Sequence, residues 1–291
     1  MAAKRKYEKY FNVRAPSSIY PVTPGISNLS DLTHFDYNGC DDAPHHIEAF
    51  MKHPGNEYFS GDGGIFRHSE DHWMSKLEKN TGTTWRAFPH THAFKEAFHW
   101  MSIDPENPED LGGTVEFYLG EGKDAEKYTI DKPSYIIAPA GLTHLPLIYK
   151  NVKRPFILVM YETSRILGTV SKWKNPIYPP GWEHDAKIDA WVETKTLPAA
   201  QAKKRDYAHL VQTVNVKDFT SPPAHKGKAR IIMHTTWANN PELPWRLECT
   251  LIYGAGIGFG IGDWKQFPAL PNKNSVYETI SFINLDPEHP D

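Results

Sequence analysis

Cysteine is almost absent from the chain: Cys40 and Cys249 are the two in 291 residues. Two cysteines exclude a disulfide framework and a thiolate-built metal site. Long apolar runs are missing as well. The stretch from Phe156 to Tyr161 is among the longest, far short of the roughly 18–20 residues a membrane helix needs, and it reads as a strand. Charge of one sign is not in excess, with 32 Lys and Arg against 35 Asp and Glu for a net charge of −3. The basic runs Lys4-Arg-Lys6 and Lys203-Lys-Arg205 are short and read as solvated surface, which excludes a nucleic-acid footprint. Met1 to Phe11 is charged and has no apolar h-region, so the sequence predicts no secretory leader, no membrane contact and a cytoplasmic address.

What is plentiful points to strands and turns. The chain carries 9 Trp, 14 Tyr and 24 Pro, which suits a strand-and-loop protein better than a helical bundle. Its length fits two domains or one large β structure, with a core that needs no crosslinks. Residues 1–55 show turn signals at Ala15-Pro-Ser-Ser and Thr23-Pro-Gly25 and no sustained period. They read as an irregular arm that could wrap the rest of the chain or a neighbouring subunit. In that arm His45, His46 and His53 are expected to be exposed. His68 and His72 would share a helix face and read as a surface feature.

Thr114–Leu119 alternates cleanly between apolar and polar residues. Thr114–Leu119, Tyr128–Ile130, Ser134–Ala138, Leu145–Tyr149 and Pro155–Tyr161 read as five short strands separated by turns, the pattern of a jelly roll or barrel. Residues 164–205 read as a connector, since Asn175-Pro-Ile-Tyr-Pro-Pro-Gly-Trp182 cannot be regular structure. Leu197–Arg205 is predicted as a short helix.

The chemistry concentrates in His90-Thr-His92-Ala-Phe-Lys-Glu96 and Pro139-Ala-Gly141-Leu-Thr-His144. Residues two apart on a strand point the same way, so His90 and His92 project together. Glu96 can return to the same place from the next strand, and His144 follows a Pro-x-Gly turn. Three imidazoles and a carboxylate suit a divalent transition metal. Arg86 and Phe88 share parity with His90 and His92. Arg86 is either an exposed residue at the strand entrance or a clamp for a substrate carboxylate. Phe98 and Trp100 share the inward face with Glu96 and are expected to wall the substrate pocket, whereas His99 has the opposite parity. His144, Pro146 and Ile148 share a parity and are expected to face inward together.

The pair H-x-H-x3-E and P-x-G-x2-H, over roughly residues 85–150, resembles the two sequence motifs of the cupin family. Where the family pattern has a Gly six before the Pro and an Asn four after the last His, this chain has Pro133 and Ile148. The resemblance implies an all-β, jelly-roll barrel with His90, His92, Glu96 and His144 as ligands to one metal. Iron or manganese is favoured, with nickel, copper or zinc as alternatives.

A second copy is half visible. Glu278-Thr-Ile-Ser-Phe-Ile-Asn-Leu-Asp-Pro-Glu-His-Pro-Asp291 aligns with Glu96-Ala-Phe-His-Trp-Met-Ser-Ile-Asp-Pro-Glu-Asn-Pro-Glu109. At the same offset Asn272 and Asn274 replace His90 and His92, so this copy is expected to have lost its metal. The expected organisation is an arm at 1–55, a metal-binding barrel at 56–163, a connector at 164–205 and a degenerate, incomplete second unit of the same kind at 206–291. Such a chain resembles a two-cupin protein. The missing strands would come from the arm, a partner subunit or an absent stretch of chain, which makes a homo-oligomer such as an intertwined dimer the expected assembly. The glycines from Gly254 to Gly262 fall on every second residue and read as one bare strand face, not a phosphate loop.

The resemblance implies an enzyme acting on a small organic molecule, most simply an oxidoreductase of dioxygenase type. Non-redox decarboxylation, lyase action or isomerisation of an oxo- or hydroxy-acid is the alternative, and a non-catalytic ligand-binding cupin the third. No catalytic acid or base beyond the metal ligands is placed by the sequence.

Overall fold

The computed structural model describes residues 29–35, 45–54, 89–164, 170–171, 177–185, 190–195, 198, 206–219, 226–235, 240, 242–243 and 247–254. Within them the chain is all-β. The strands in order are β1 (Leu29–Phe35), β2 (His46–Lys52), β3 (Thr91–His92), β4 (Glu96–Ser102), β5 (Thr114–Leu119), β6 (Glu126–Ile130), β7 (Ser134–Ala138) and β8 (His144–Lys150). They continue with β9 (Phe156–Glu162), β10 (Val170–Ser171), β11 (Trp182–Asp185), β12 (Ala190–Glu193), β13 (Val211–Thr213), β14 (Ala229–Thr235) and β15 (Leu247–Ile252). No helix among the described residues is long and apolar enough to cross a membrane.

Two antiparallel sheets face one another. One has the order β1-β2-β9-β4-β7-β13 and the other β6-β5-β8. Pairing is nested: β4 lies beside β9, and within that span β5 lies beside β8. A long hairpin folded over on itself in this way is a jelly roll. The inner faces close on one apolar core that includes Phe98, Trp100, Val115, Phe117, Ile136, Leu147 and Leu158. In β4, β5 and β9 every second residue contributes, as the pleat requires.

Three expectations need correction here. The stretch read as irregular arm contains β1 and β2, which extend the large sheet through β2 and β9. The alternation in β2 is disguised because both faces are covered. Ala49 and Met51 pack outward against β14 and β15, while Phe50 packs inward. His45 and His46 are buried rather than exposed, and His53 is half-buried. In β8 the inward set is His144, Leu145, Leu147 and Tyr149, while Ile148 packs outward with Tyr118, Tyr178 and Trp182. A β-bulge causes the change of face. The register slips between Phe117 and Leu119, and Leu145 adopts the left-handed region with φ 69°.

The predicted second copy at residues 278–291, the alternating glycines past Gly254, Arg86, Phe88, His68 and His72 lie outside the described residues, as does nearly all of the helix read over 197–205. Within the expected second unit, β13 pairs with β7 of the barrel sheet and β14 with β15. The β14–β15 hairpin covers the outer face of the large sheet through Ile232, Met233 and Leu251.

His99 lies on that covered outer face. It is fully buried, its ring centroid is 5.7 Å from that of Tyr135, and its Nε2 lies 3.5 Å from Thr235 Oγ1. Burial pushes its pKa down to about 3, against a raising hydrogen bond to the Val159 backbone. Below pH 6.5 the unfolded chain therefore binds a proton that the folded chain refuses. Stability falls with pH at up to about 1.4 kcal/mol per unit, so that by pH 5 the loss is about 2 kcal/mol. Urea midpoints measured between pH 7 and pH 5 should show this slope in the wild-type protein. The slope should be reduced in His99→Gln.

Candidate metal centre

The cluster is built by three local devices. His90 exchanges both backbone hydrogen bonds with His144, at 3.2 and 3.1 Å, so the two histidines are fixed opposite one another. His92 is held by β10 on one side, where it pairs with Val170. Its carbonyl also accepts from Gly141 N–H at 2.7 Å. Pro139 to Leu142 closes a turn through Leu142 N–H to Pro139 O at 3.0 Å. Gly141 occupies its third position with φ 82°, the value a type II turn demands. A side chain at Gly141 would be strained on backbone grounds alone, and the turn delivers His144 to the mouth of β8.

Glu96 opens β4 with the inward parity shared by Phe98 and Trp100, and its carboxylate reaches the three imidazoles. His92 Nε2 lies 3.0 Å from Glu96 Oε2, His144 Nε2 2.8 Å from the same oxygen, and His90 Nε2 3.0 Å from His92 Nε2. All four donor atoms fall within 4.8 Å of one another. His92, Glu96 and His144 are buried and His90 is half-buried, so the cluster is open toward His90. Burial alone would raise the Glu96 pKa. The imidazoles of His92 and His144 outweigh it and hold the carboxyl well below the usual carboxylate range.

The donor set fits a divalent metal on its own chemistry. His144 Nδ1 lies 3.1 Å from Leu142 O, so Nδ1 carries the proton and donates to the carbonyl. Its Nε2 faces the Glu96 carboxylate at 2.8 Å, so a positive charge belongs between the two, either a proton or a divalent cation in its place. The spacing agrees: adjacent ligands at right angles, with bonds of about 2.1 Å, stand about 3 Å apart.

The structure thus brings together His90, His92, Glu96 and His144. Phe98 touches the cluster from the core side, with its ring centroid 5.7 Å from that of His144. Trp100 stacks behind Phe98 at 6.0 Å, one layer further from the metal end. His99 stays on the opposite face. Sequence reasoning missed His46, Glu48 and Glu162, which are buried on the inner face of β2 and β9. The parity of His46 and Glu48 with Phe50 was the available signal.

No family model matches the chain. No curated protein matches it either. Among solved structures it is similar to an oxalate oxidase in complex with the substrate analogue glycolate, at 14% identity and a TM-score of 0.32, over 58% of this chain and 67% of that one. It is also similar to a deletion mutant of Bacillus subtilis oxalate decarboxylase, at 9% identity and a TM-score of 0.31, over 55% of this chain and 31% of that one. A third is a protein with a double-stranded β-helix domain from Klebsiella pneumoniae, at 13% identity and a TM-score of 0.29, over 55% of this chain and 96% of that one.

Proposed function

We propose that the chain is a metal-dependent enzyme of cupin type, acting on a small organic substrate as an oxidoreductase of dioxygenase type. The observation that carries this reading is the convergence of three imidazole nitrogens and one carboxylate oxygen, spaced 2.8–3.0 Å at the closest approaches, at one end of a closed β core. Four protein ligands leave about two positions open on a metal that prefers six, enough for a bidentate substrate or for substrate and dioxygen. Iron or manganese, when bound, would supply Lewis acidity and one-electron chemistry.

The chain's own residues supply the rest. Leu142 O fixes the His144 tautomer, Phe98 and Trp100 exclude water from the core side, and the half-buried His90 marks the open side. Arg86, four residues before His90 in the sequence, stays in the proposal as a candidate carboxylate clamp.

The test is elemental analysis of protein purified without added metal, followed by oxygen-electrode measurements with candidate substrates. About one iron or manganese per chain, with oxygen consumed during turnover, is the expected result. Substrate loss without oxygen uptake would move the assignment to a decarboxylase, lyase or isomerase. Failure to take up any metal, even on reconstitution, would overturn the enzyme reading and leave a ligand-binding barrel.

A further inference from the structure

The three imidazoles of the cluster are not held alike. His144 is fixed by a hydrogen bond from Nδ1 to Leu142 O at 3.1 Å. His90 is fixed through its backbone, which exchanges both hydrogen bonds with His144, and its ring stands edge-on to that of His92 at 4.6 Å and 84°. His92 has a different support. Its Nε2 faces Glu96 Oε2 at 3.0 Å, yet its Nδ1 is buried and meets no hydrogen-bond partner among the described residues. Ligating histidines ordinarily give that second nitrogen to a carbonyl, a carboxylate or a water, which sets the ring plane. What lies against the His92 ring instead is the ring of Phe94, with centroids 4.5 Å apart and planes 23° from parallel.

Phe94 sits in the bend between β3 and β4, after exposed Ala93 and before half-buried Lys95, and is itself half-buried. Bends favour small and polar residues, and a ring left partly in water gains less from burial than one in the core. The bend is also pinned. Lys95 N–H donates to Thr163 Oγ1 at 3.1 Å, Thr163 N–H donates to Lys95 O at 3.0 Å, and Lys95 Nζ donates to Glu242 Oε2 at 2.8 Å. The residue after Phe94 is thus tied to the chain just past β9, which steadies the aromatic ring over His92. An imidazole that lends its Nε2 lone pair to a cation turns partly positive, and an aromatic face within about 6 Å attracts positive charge. The stack is therefore tighter with a metal bound than without.

We infer that Phe94 is a positioning residue of the metal centre. Its ring does for His92 what Leu142 O does for His144, setting the imidazole plane so that Nε2 meets the cation. This role presupposes the metal centre proposed above and reaches the metal only through His92.

The test uses the full chain in its metal-free form, titrated with Co²⁺ against a competing chelator. The visible bands of Co²⁺ report both occupancy and ligand geometry. Phe94→Leu and Phe94→Met keep an apolar side chain and remove the aromatic face. Both should hold the metal-free melting temperature to within a few degrees and bind Co²⁺ about tenfold more weakly than wild type, the low end of what orienting partners of a ligand command. Their Co²⁺ bands should differ in shape as well as in midpoint. Phe94→Tyr restores the face and should recover wild-type band shape and an affinity within about twofold of wild type. Wild-type affinity and bands in the two non-aromatic variants would overturn the role, as would Phe94→Tyr protein as weak as they are. So would non-aromatic variants that fail to fold without metal, because the ring would then be holding the bend and not the ligand. Wild-type protein that takes up no Co²⁺ overturns the metal reading and this role with it, whereas the other failures leave the four ligands in place.

Discussion

Glu96→Ala protein is expected to purify essentially free of metal and to show no rise in melting temperature when metal is added. Glu96 Oε2 is the atom nearest both His92 Nε2 and His144 Nε2, at 3.0 and 2.8 Å, so its removal takes away the shared anionic contact of the cluster. Partners one shell further out typically command about 10–100-fold in metal affinity, and a direct ligand should exceed that. In the wild-type protein, metal at a hundred times its dissociation constant stabilises the folded state by about 2.7 kcal/mol. For a domain of this size that is a rise of about 5–10 °C. Calorimetric scans with and without added Mn²⁺, beside elemental analysis, check both halves. A wild-type-sized upshift in Glu96→Ala would remove Glu96 from the ligand set. His92→Ala should behave in the same direction.

Trp100→Ala should cost about 3–5 kcal/mol and lower the melting temperature by about 10 °C or more. Trp100 is fully buried at the centre of the inner core, stacked with Phe98 and edge-on to Phe117 at 5.6 Å. Its removal leaves a cavity beneath the ring that touches His144. Below the lowered melting point the protein should still bind metal, because Trp100 holds no ligand atom. Urea titration gives the first quantity, and metal content at low temperature the second. A loss under about 1 kcal/mol would mean that the core collapses around the gap.

The metal cluster was legible because its residues obey local rules. His90, bridged to His144, and His92, in β3, are two apart in the sequence, Glu96 keeps the parity of Phe98 and Trp100, and the Pro139–Leu142 turn carries the glycine its backbone needs. Strand β5 alternates cleanly, and β5, β7 and β9 were all read within a residue of their bounds. β2 was not, because His46, Glu48 and Lys52 occupy inner positions where the alternation rule expects apolar residues. Its strand character comes from partners distant in sequence, β9 on one side and the β14–β15 hairpin on its outer face. The face of Ile148 was misread for another reason. The bulge opposite Tyr118 is a property of two strands together, and neither sequence alone announces it.

The nested pairing also sets an order in time. His144 meets Glu96 across 48 residues of chain, so the cluster cannot close before β8 has been brought back beside the start of β4. Contacts that distant form late, since the entropy of closing the intervening loops must be met first. The metal cluster is therefore absent from the early ensemble and assembles only as the roll closes. Competence to hold a cation then serves as a clock for the end of folding. A nascent chain released before β8 emerges would carry two histidines and a glutamate with no fourth ligand to join them.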